Sequence, residues 1–569
     1  MRDGLCAGGT RFRPIDRVGD ETKVVPKEPD EVLKSVAGCI LGGGYMSQLS
    51  VSNLTFCYDG SFDNIFENVS FSVDTDWKLG FIGRNGKGKT TFLNLLLGKY
   101  EYSGSISGNT TFDYFPYVIS DDNLDRTMDE MSYEWKPMAE SWRIICELGN
   151  MGVDPEIMYR PIRSLSHGER TKAMLAILFS GENEFLLIDE PTNHLDKGGR
   201  DIITEYLKLK NGFILVSHDR KLLDDVCDHM LVLNRETIEV VSGNFSSWWE
   251  NKQRMDAFAE SENRKHLKEI GKLKTAADRA SRWADKNEST KIGFDPIKEP
   301  DRNASTRSYI GAKTKKMQSR VKNLEKHIDR EIAQKEGLLK DVEKVADLKL
   351  NPMKHHKNCL IDCRDLALGF KNVNEENDET LNGNVRFILR DITFQLKNGE
   401  RVFLAGKNGC GKSSLIKAVL RKANYIGAGE DKESSLVTSG RLEVASDMTI
   451  SYVNQDTSFL KGNLKNYAQD NNLDYSLLLT LLRKLDMERV QFEKNMEDFS
   501  EGQKKKVLLA SSLLTPAHLY IWDEPLNYID IFSRMQLEKL INEFSPTMLL
   551  VEHDDAFRDN IATQTIILG

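Results

Sequence analysis

Short apolar runs followed by turn residues recur along this chain and predict buried strands. Residues 79–82 and 402–405 form one pair of runs, and each leads into a glycine-rich segment and then a helical pattern. A second pair, residues 185–188 and 520–522, ends in an Asp-Glu dipeptide. Continuous apolar runs are typical of parallel strands that helices cover on both faces. The pattern therefore predicts an α/β fold that occurs twice.

The spacing of the motifs supports an internal repeat. Gly168 precedes Asp189 by 21 positions in the first half, and Gly502 precedes Asp523 by 21 positions in the second half. The glutamate after each aspartate precedes a histidine by 28 positions in one half and 29 in the other. An ordered pair of motifs with matching spacing indicates two copies of one domain.

Between the two halves, the apolar positions follow a helical period within a strongly charged sequence. One stripe comprises Leu267, Ile270, Leu273, Ala277, Ala280 and Ala284, and a second comprises Met317, Val321, Leu324, Ile328 and Ile332. Steps of three and four residues predict two helices that pack as an antiparallel coiled-coil hairpin. Glycine and proline at residues 293–296 and 300–303 predict a tip loop over about 286–311.

Changes in composition divide the chain into four segments. Residues 1–45 mix glycine, charge and proline without periodicity, so we expect a leader that is disordered or lies upstream of a true start at Met46. We expect one α/β domain over 46–245, the helical hairpin over 246–350 and a second α/β domain over 351–569. No run approaches the roughly 18 apolar residues of a membrane span. Eight irregularly spaced cysteines without a secretory signal favour a cytoplasmic protein.

Each glycine-rich segment lies between an apolar strand and a helix, which is the context of a phosphate-binding loop. The candidate nucleotide-binding residues are Gly83, Arg84, Asn85, Gly86, Lys87, Gly88, Lys89, Thr90 and Thr91 in the first copy, and Gly406, Lys407, Asn408, Gly409, Cys410, Gly411, Lys412, Ser413 and Ser414 in the second. Lys89 and Lys412 would neutralise the β- and γ-phosphates of a nucleotide, and Thr90 and Ser413 would offer hydroxyls to Mg²⁺. The alternative, a glycine turn that only caps a helix, is disfavoured by the full motif.

The carboxylates that end the later strands are candidates for metal binding and catalysis. Carboxyl ends of parallel strands form the usual ligand edge of an open α/β sheet. We expect Asp189 and Asp523 to bind magnesium through water, and Glu190 and Glu524 to act as general bases for an attacking water.

Two histidines belong to the same edge. His218 and His553 each follow a further apolar run, at residues 213–216 and 548–551, so we expect them to contact the γ-phosphate. A lone histidine at a strand end is more often structural, but its recurrence at matching spacing favours a catalytic role.

The motif between the glycine-rich loop and the Asp-Glu dipeptide resembles the signature of ATP-binding-cassette ATPases. The signature residues are Ser166 and Gly168 in the first half and Ser500 and Gly502 in the second. In that family two cassettes of the P-loop NTPase fold pack head to tail. The resemblance implies that the signature of each half completes the ATP site of the other half, within one monomeric chain.

The same resemblance implies further site residues. Asp196 and Asp530 look like the aspartates of the family's D-loops, and Tyr58 and Phe370 look like aromatics that stack on adenine. The alternative for each aromatic is a core position in a strand.

The two halves also differ from each other. Gln455 stands where the family has a metal-contacting glutamine, whereas the first half has Tyr117, and a phenol is a weaker Mg²⁺ ligand than an amide carbonyl. Thr192 in one half corresponds to Leu526 in the other. We therefore expect two unequal ATP sites.

The hairpin carries a basic charge that the rest of the chain lacks. Residues 264–326 hold eighteen Lys or Arg against eight Asp or Glu, a net charge of +10 in a chain whose net charge is −9. Such a segment suits a phosphate-rich partner, with RNA the leading candidate. The alternative is a solvated, charged coiled coil.

Two fused cassettes with an interdomain helical hairpin resemble the ABC-F subfamily, and residues 244–252, 114–117 and 524–530 resemble its Lsa-type branch. The resemblance implies an ATPase that binds the ribosome exit site, contacts ribosomal RNA and P-site tRNA with its hairpin, and displaces antibiotics from the peptidyl-transferase region. Two alternatives remain open, a housekeeping ABC-F translation factor that acts on stalled ribosomes and the ATPase subunit of a membrane transporter. The fused halves and the basic hairpin disfavour the transporter, so no membrane partner is expected.

A cluster of potential zinc ligands precedes the second half. His355, His356, Cys359 and Cys363 lie within nine residues. The two cysteines fall at the start of a predicted strand, where an extended chain would separate the thiols rather than close a tetrahedron. We interpret them as ordinary strand cysteines.

Overall fold

The computed structural model describes residues 48–58, 64–182, 184–193, 195–234, 237–289, 350–371, 385–425, 436–485 and 487–568, together with scattered residues between 315 and 331. The predicted leader, the proposed start at Met46, nearly all of the predicted tip loop and most of the second hairpin helix lie outside the described residues. In the described part of the chain, no helix is both long enough and apolar enough to span a bilayer.

The first half is an α/β domain with two sheets. Its strands are β1 (Gln48–Phe56), β2 (Phe66–Asp74), β3 (Lys78–Gly83), β4 (Ser103–Ser107), β5 (Thr111–Phe115), β6 (Glu184–Asp189), β7 (Phe213–Val216), β8 (His229–Leu233) and β9 (Ile238–Ser242). Its helices are α1 (Lys89–Leu96), α2 (Met128–Trp135), α3 (Ser141–Asn150), α4 (His167–Leu178), α5 (Lys197–Lys208) and α6 (Arg220–Val226). The main sheet has the order β5-β6-β7-β3-β8-β9 and is parallel except for the pair β8 and β9, while β2-β1-β4 is antiparallel.

The second half repeats this architecture after one long helix, α7 (Phe245–Ser289). Its strands are β10 (Cys359–Lys371), β11 (Val385–Lys397), β12 (Arg401–Ala405), β13 (Leu436–Val444), β14 (Ile450–Val453), β15 (Leu519–Asp523), β16 (Met548–Val551) and β17 (Gln564–Ile567). Its helices are α8 (Lys412–Lys422), α9 (Leu464–Asp470), α10 (Tyr475–Lys484), α11 (Glu501–Leu514), α12 (Ile531–Phe544) and α13 (Asp555–Ile561). The parallel sheet β14-β15-β16-β12-β17 matches the first five strands of the other main sheet, so the prediction of a duplicated α/β fold is confirmed.

The parallel strands position the candidate chemistry. β6 and β15 end at Asp189 and Asp523, and β7 and β16 end at Val216 and Val551, shortly before the two histidines. All of these strands lie in the core, with side chains such as Phe213 and Trp522 fully buried. The carboxyl ends of neighbouring strands therefore bring the carboxylates and histidines to one edge in each half.

The potential zinc ligands have other contacts. His355 Nε2 lies 3.0 Å from Ser446 O, and its Nδ1 accepts a hydrogen bond from Lys357 N at 3.2 Å. Cys359 Sγ donates to Ile361 O, and Cys363 is fully buried in β10. Over the described ranges, no group of three or more His, Cys, Asp or Glu side chains is arranged to hold a metal ion.

We call the predicted hairpin the arm, and helix α7 forms its first half. It runs for 45 residues, and the carboxylate of Asp224 accepts a hydrogen bond from the backbone N–H of Ser246 in its first turn at 2.7 Å. One residue from each predicted stripe, Ile270 and Ile328, is buried. The packing of two helices into a hairpin stays a prediction, because most of the second helix is not among the described residues.

An aromatic cluster joins the base of the arm to the second half. We call Phe245, Trp248 and Trp249 the arm root. Phe532 of α12 lies 6.2 Å from Trp248 and 6.0 Å from Trp249 between ring centroids, and Ile531 joins the same core. Trp248 is only 7% exposed. Since α12 follows the second D-loop, the arm root packs on both halves of the molecule.

Removing one ring from the arm root should destabilise the protein. Truncation of a buried tryptophan costs about 3–5 kcal/mol, and we expect Trp248→Ala to lower the first melting transition by at least about 5 °C in differential scanning calorimetry. Trp142→Ala is the matched control, because this tryptophan is 54% exposed on α3 and should shift the transition by no more than about 1 °C. Equal shifts in the two variants would contradict the packing described for the arm root.

Candidate active site

The two glycine-rich loops have the same conformation. Gly88 and Gly411 precede the first residues of α1 and α8 with φ values of 103° and 101°, a region that L side chains rarely adopt. A Cβ at Gly88 would lie 2.6 Å from Ile65 Cγ2, so glycine is also required sterically. Lys89 Nζ donates to Gly83 O at 2.7 Å, which fixes the lysine above the loop. In this arrangement backbone N–H groups and an ammonium group converge where a phosphate can bind.

The first loop borders a cavity of about 380 Å³. Its lining includes the predicted residues Tyr58, Asn85, Gly86, Gly88, Lys89, Thr90, Thr91, Asp189, Glu190 and His218, together with Ile65, Asn193, Val216 and Tyr528. The hydroxyls of Tyr58 and Thr91 are hydrogen-bonded at 2.8 Å, which holds the tyrosine ring at the cavity. Tyr528 belongs to the second half, so the cavity lies between the two halves.

Around Lys89, which we call site 1, the carboxylates have few partners. Asp189 Oδ2 accepts hydrogen bonds from Thr90 Oγ1 at 3.2 Å and from the Tyr114 hydroxyl at 3.1 Å. Glu190 accepts a hydrogen bond from His218 N at 3.4 Å, and its Oε1 lies 3.4 Å from His218 Nε2. Burial raises the pKa of Glu190 to about 8, and the neighbouring Asp189 carboxylate adds to this shift.

Around Lys412, which we call site 2, the carboxylate of Glu524 receives more hydrogen bonds. Glu524 Oε2 accepts hydrogen bonds from Gln455 Nε2 at 2.9 Å and from Asn527 Nδ2 at 3.0 Å, and Oε1 lies 3.5 Å from His553 Nε2. Burial alone would raise the pKa of Glu524, but the His553 ring and the Asn527 amide outweigh burial and lower it. Glu524 is therefore held as an oriented carboxylate.

The side chain that distinguishes site 1 is not the one predicted. Tyr117 corresponds in sequence to Gln455, but its hydroxyl donates to Asp113 at 2.6 Å and its ring stacks on Trp135 at 4.6 Å. Tyr117 therefore points away from Asp189, and the expectation that it replaces the glutamine near the metal is wrong. Tyr114 supplies the phenol instead. The contacts of the two sites therefore differ through another residue, and unequal ATP turnover stays a prediction.

The residues around the Asp-Glu dipeptides fit a magnesium ion with a nucleotide. Among the described residues, Asp523 Oδ1 and Glu190 Oε1 are buried and receive no hydrogen bond. Buried oxygens without donors suit a hard cation and its water ligands. Burial raises the pKa of Asp523 to about 6, and a nearby cation would favour its ionised form.

The signature serines are the N-caps of two helices. Ser166 Oγ accepts a hydrogen bond from Glu169 N at 3.2 Å at the start of α4, and Ser500 Oγ accepts one from Gln503 N at 3.3 Å at the start of α11. Gly168 and Gly502 fall in the first turns of these helices. Their approach to the opposite ATP site stays a prediction.

The remaining predicted residues lie as follows. Asp196 and Asp530 cap α5 and α12 by accepting hydrogen bonds from Gly199 N and Ser533 N. Phe370 lies in β10 between β11 and β13 and is partly buried, and its contact with adenine stays a prediction.

Direct contacts join the two halves near both sites. Asn85 Nδ2 donates to Tyr528 O at 2.8 Å across site 1, and Arg200 Nη1 donates to His553 O at 3.3 Å beside site 2. Arg220 and Glu538 form a buried ion pair, with Nη1 and Oε2 3.2 Å apart. The two halves therefore form a closed pair in which each contributes to the surroundings of the other's nucleotide site.

A comparison with protein families decides what these domains are. The family described as ABC transporter matches residues 66–193 and 389–527, one stretch in each half. The chain is a tandem ATP-binding-cassette ATPase that resembles the ABC-F proteins. Its two halves are hereafter the first and second cassettes, and their substrate is ATP.

Similar proteins share most of this length. The ribosome protection protein VmlR of Bacillus subtilis is 23% identical over 518 residues, which cover 90% of this chain and 85% of VmlR. The erythromycin resistance ATP-binding protein MsrA of Staphylococcus epidermidis is 26% identical over 503 residues, which cover 85% of this chain and 90% of MsrA. A solved archaeal ribosome recycling factor, aABCE1, superposes with a TM-score of 0.55 at 16% identity, covering 90% of this chain and 87% of that one. The last likeness concerns the fold alone.

Sequence reasoning missed several side chains of the site. Tyr114 and Asn527 contact the carboxylates, and Tyr528, Arg220 and Glu538 join the cassettes. Asn527 lies three residues after Glu524 within the motif at residues 524–530, so this spacing could have predicted its contact with Glu524. The ion pair links residues 318 positions apart and leaves no local pattern.

The two glutamates predicted to be catalytic should differ in their contribution to turnover. Glu524 is oriented by two amides, whereas Glu190 has no such donors among the described residues. One hydrogen bond contributes about 1 kcal/mol, so we expect the residual ATPase rate of Glu524→Gln to be about fivefold below that of Glu190→Gln. Steady-state phosphate release from both single variants, corrected with the double variant, measures this. Identical rates would show that the support of Glu524 has no kinetic consequence.

Proposed function

We propose that this chain is a cytoplasmic ABC-F ATPase that binds the ribosome exit site and confers resistance. Its arm would displace antibiotics from the peptidyl-transferase region. The names of two relatives support the proposal, since one is a ribosome protection protein and the other an erythromycin resistance protein. The duplicated cassettes and the long interdomain helix support the ABC-F type.

The charge of the arm supports an RNA partner. The segment 264–326 has a net charge of +10, which leaves −19 for the rest of the chain. Neutralising phosphates on ribosomal RNA and P-site tRNA releases counterions, and this release favours binding. The acidic cassettes would be repelled by the same RNA, so the arm is the part of the chain that enters the ribosome.

In each site the chain would bind ATP with Mg²⁺. The loop lysines neutralise the phosphates, and the hydroxyls of Thr90 and Ser413 with the carboxylates of Asp189 and Asp523 hold the metal. Magnesium supplies charge neutralisation on the β- and γ-phosphates. The glutamate of each site accepts the proton of the attacking water, while the histidine keeps that carboxylate near the γ-phosphate.

The observation that carries the proposal is the packing of the arm root on both cassettes. ATP at site 1 would bind between the first P-loop and the second D-loop, which Asn85 and Tyr528 already connect. The D-loop leads into α12, and Phe532 of α12 packs on Trp248 and Trp249. Closure at site 1 therefore fixes the base of the arm, and hydrolysis with opening would release it.

Ribosome binding is tested by trapping the closed form. We expect the Glu190→Gln, Glu524→Gln double variant to pellet with 70S ribosomes in ATP, because ATP binds without being hydrolysed. The Lys89→Ala, Lys412→Ala variant is the control and should stay in the supernatant. If the trapped variant also stays in the supernatant, the proposed ribosome partner is wrong.

Resistance is tested separately in a drug-sensitive host. We expect expression to raise the inhibitory concentrations of lincomycin, tiamulin and virginiamycin M by about fourfold or more, since a loss of about 1 kcal/mol in drug binding already raises the Kd about fivefold. Erythromycin serves as the comparison drug, because a relative is named for it. Ribosome pelleting with no shift for any drug would favour the housekeeping translation factor.

A further inference from the structure

The hydroxyl of Tyr114 lies on the carboxylate that we assign to magnesium at site 1. Its Oη donates to Asp189 Oδ2 at 3.1 Å, and Thr90 Oγ1 donates to the same oxygen at 3.2 Å. Tyr114 lies on β5, and its ring is partly buried against the core, with Lys99 Nζ 5.5 Å from the ring centroid. A ring packed in this way holds its hydroxyl in one place.

The corresponding tyrosine of the second cassette makes a different contact. Tyr114 pairs with Leu187 on β6, and Tyr452 pairs with Ile521 on β15, so both stand level with the residue two before the magnesium aspartate. The Tyr452 hydroxyl donates to Asn454 Oδ1 at 3.2 Å.

One sequence difference accounts for the two contacts. The first cassette has Pro116 where the second has Asn454, and proline offers no side-chain acceptor. The hydroxyl of Tyr114 turns to the carboxylate of Asp189 instead.

Tyr114 also stands in the cassette that lacks the amide. Gln455 reaches Glu524 at site 2, whereas Tyr117 turns to Asp113 and Trp135. Thus β5 supplies an uncharged donor to site 1, and the turn after β14 supplies an uncharged donor to site 2. At site 1 that donor is a phenol on the aspartate, and at site 2 it is an amide on the glutamate.

We propose that Tyr114 is a positioning residue for the magnesium of site 1. With Thr90 it orients the Asp189 carboxylate so that the free lone pairs face the metal's water ligands. Its counterpart Tyr452 donates to Asn454 in the second cassette. This inference rests on the proposed binding of magnesium with ATP.

A hydrogen-bond donor to a metal-binding group sets the orientation and therefore the affinity. Loss of such a donor weakens metal binding by about 10-fold or more. The phenol is a neutral donor near pH 7, because the ordinary pKa of a tyrosine hydroxyl is about 10. Removing only the hydroxyl therefore removes one hydrogen bond and leaves the packing of the ring unchanged.

The test measures magnesium dependence at site 1 with the full chain. In a Lys412→Ala background, which confines tight binding to site 1, a fluorescent ATP analogue is titrated with Mg²⁺. We expect Tyr114→Phe to raise the Mg²⁺ concentration for half-maximal binding by about 10-fold. Tyr452→Phe is the matched control and should leave it unchanged. A melting curve for each variant shows that both are folded.

A kinetic measurement separates positioning from a general structural effect. In a Glu524→Gln background, turnover by Tyr114→Phe should recover at saturating Mg²⁺, so that the metal requirement changes more than kcat. An unchanged Mg²⁺ requirement, or an equal shift in Tyr452→Phe, overturns the role of Tyr114 and leaves the magnesium site standing. If the parent protein binds the analogue equally well without Mg²⁺, the magnesium assignment itself is wrong, and the inference falls with it.

Discussion

A buried ion pair between the cassettes, Arg220 with Glu538, is the constraint on which both ATP sites depend. Lys197 and Lys221 of the first cassette also reach Asp555 of the second but stay largely exposed, so Arg220 and Glu538 are the buried charges of this set. Taking charges out of water is costly unless they are paired, so these groups are stable in this geometry only while the cassettes are closed. The contacts at Asn85 and at His553 form in the same closed arrangement. A nucleotide that bridges the cassettes would tip this balance, which links ATP to closure.

Side chains within each cassette make the two sites unequal. Site 1 has a phenol on its aspartate and a glutamate with a raised pKa, whereas site 2 has two amides on a glutamate whose pKa is lowered. Site 1 is also the one whose P-loop contacts the D-loop that leads into α12 and the arm root. The arrangement suits a division of labour in which site 1 holds the arm and site 2 hydrolyses ATP faster.

The sequence was sufficient for the features that repeat with local spacing. Glycines, lysines and Asp-Glu dipeptides follow buried strands, and neighbouring strand ends must meet, so the loops around Lys89 and Lys412 could be predicted. Tyr117 could not, because its direction is set by stacking on Trp135, a residue of a later helix. The contact between Phe532 and the arm root joins positions almost 300 apart, and no periodicity records it. Tertiary packing thus decided which of two nearby tyrosines reaches the site.

The central claim is that ATP at site 1, through α12, sets the position of the arm. Electron–electron double resonance tests this claim by measuring the distance between spin labels at position 282 on the arm and position 205 on α5. Arg282 and Glu205 are both exposed, and Glu205 belongs to the first cassette. The exposed Cys57 and Cys146 are replaced beforehand. We predict that ATP shifts this distance in the parent protein and in Lys412→Ala, but not in Lys89→Ala. A shift that survives Lys89→Ala and is lost in Lys412→Ala would contradict the account.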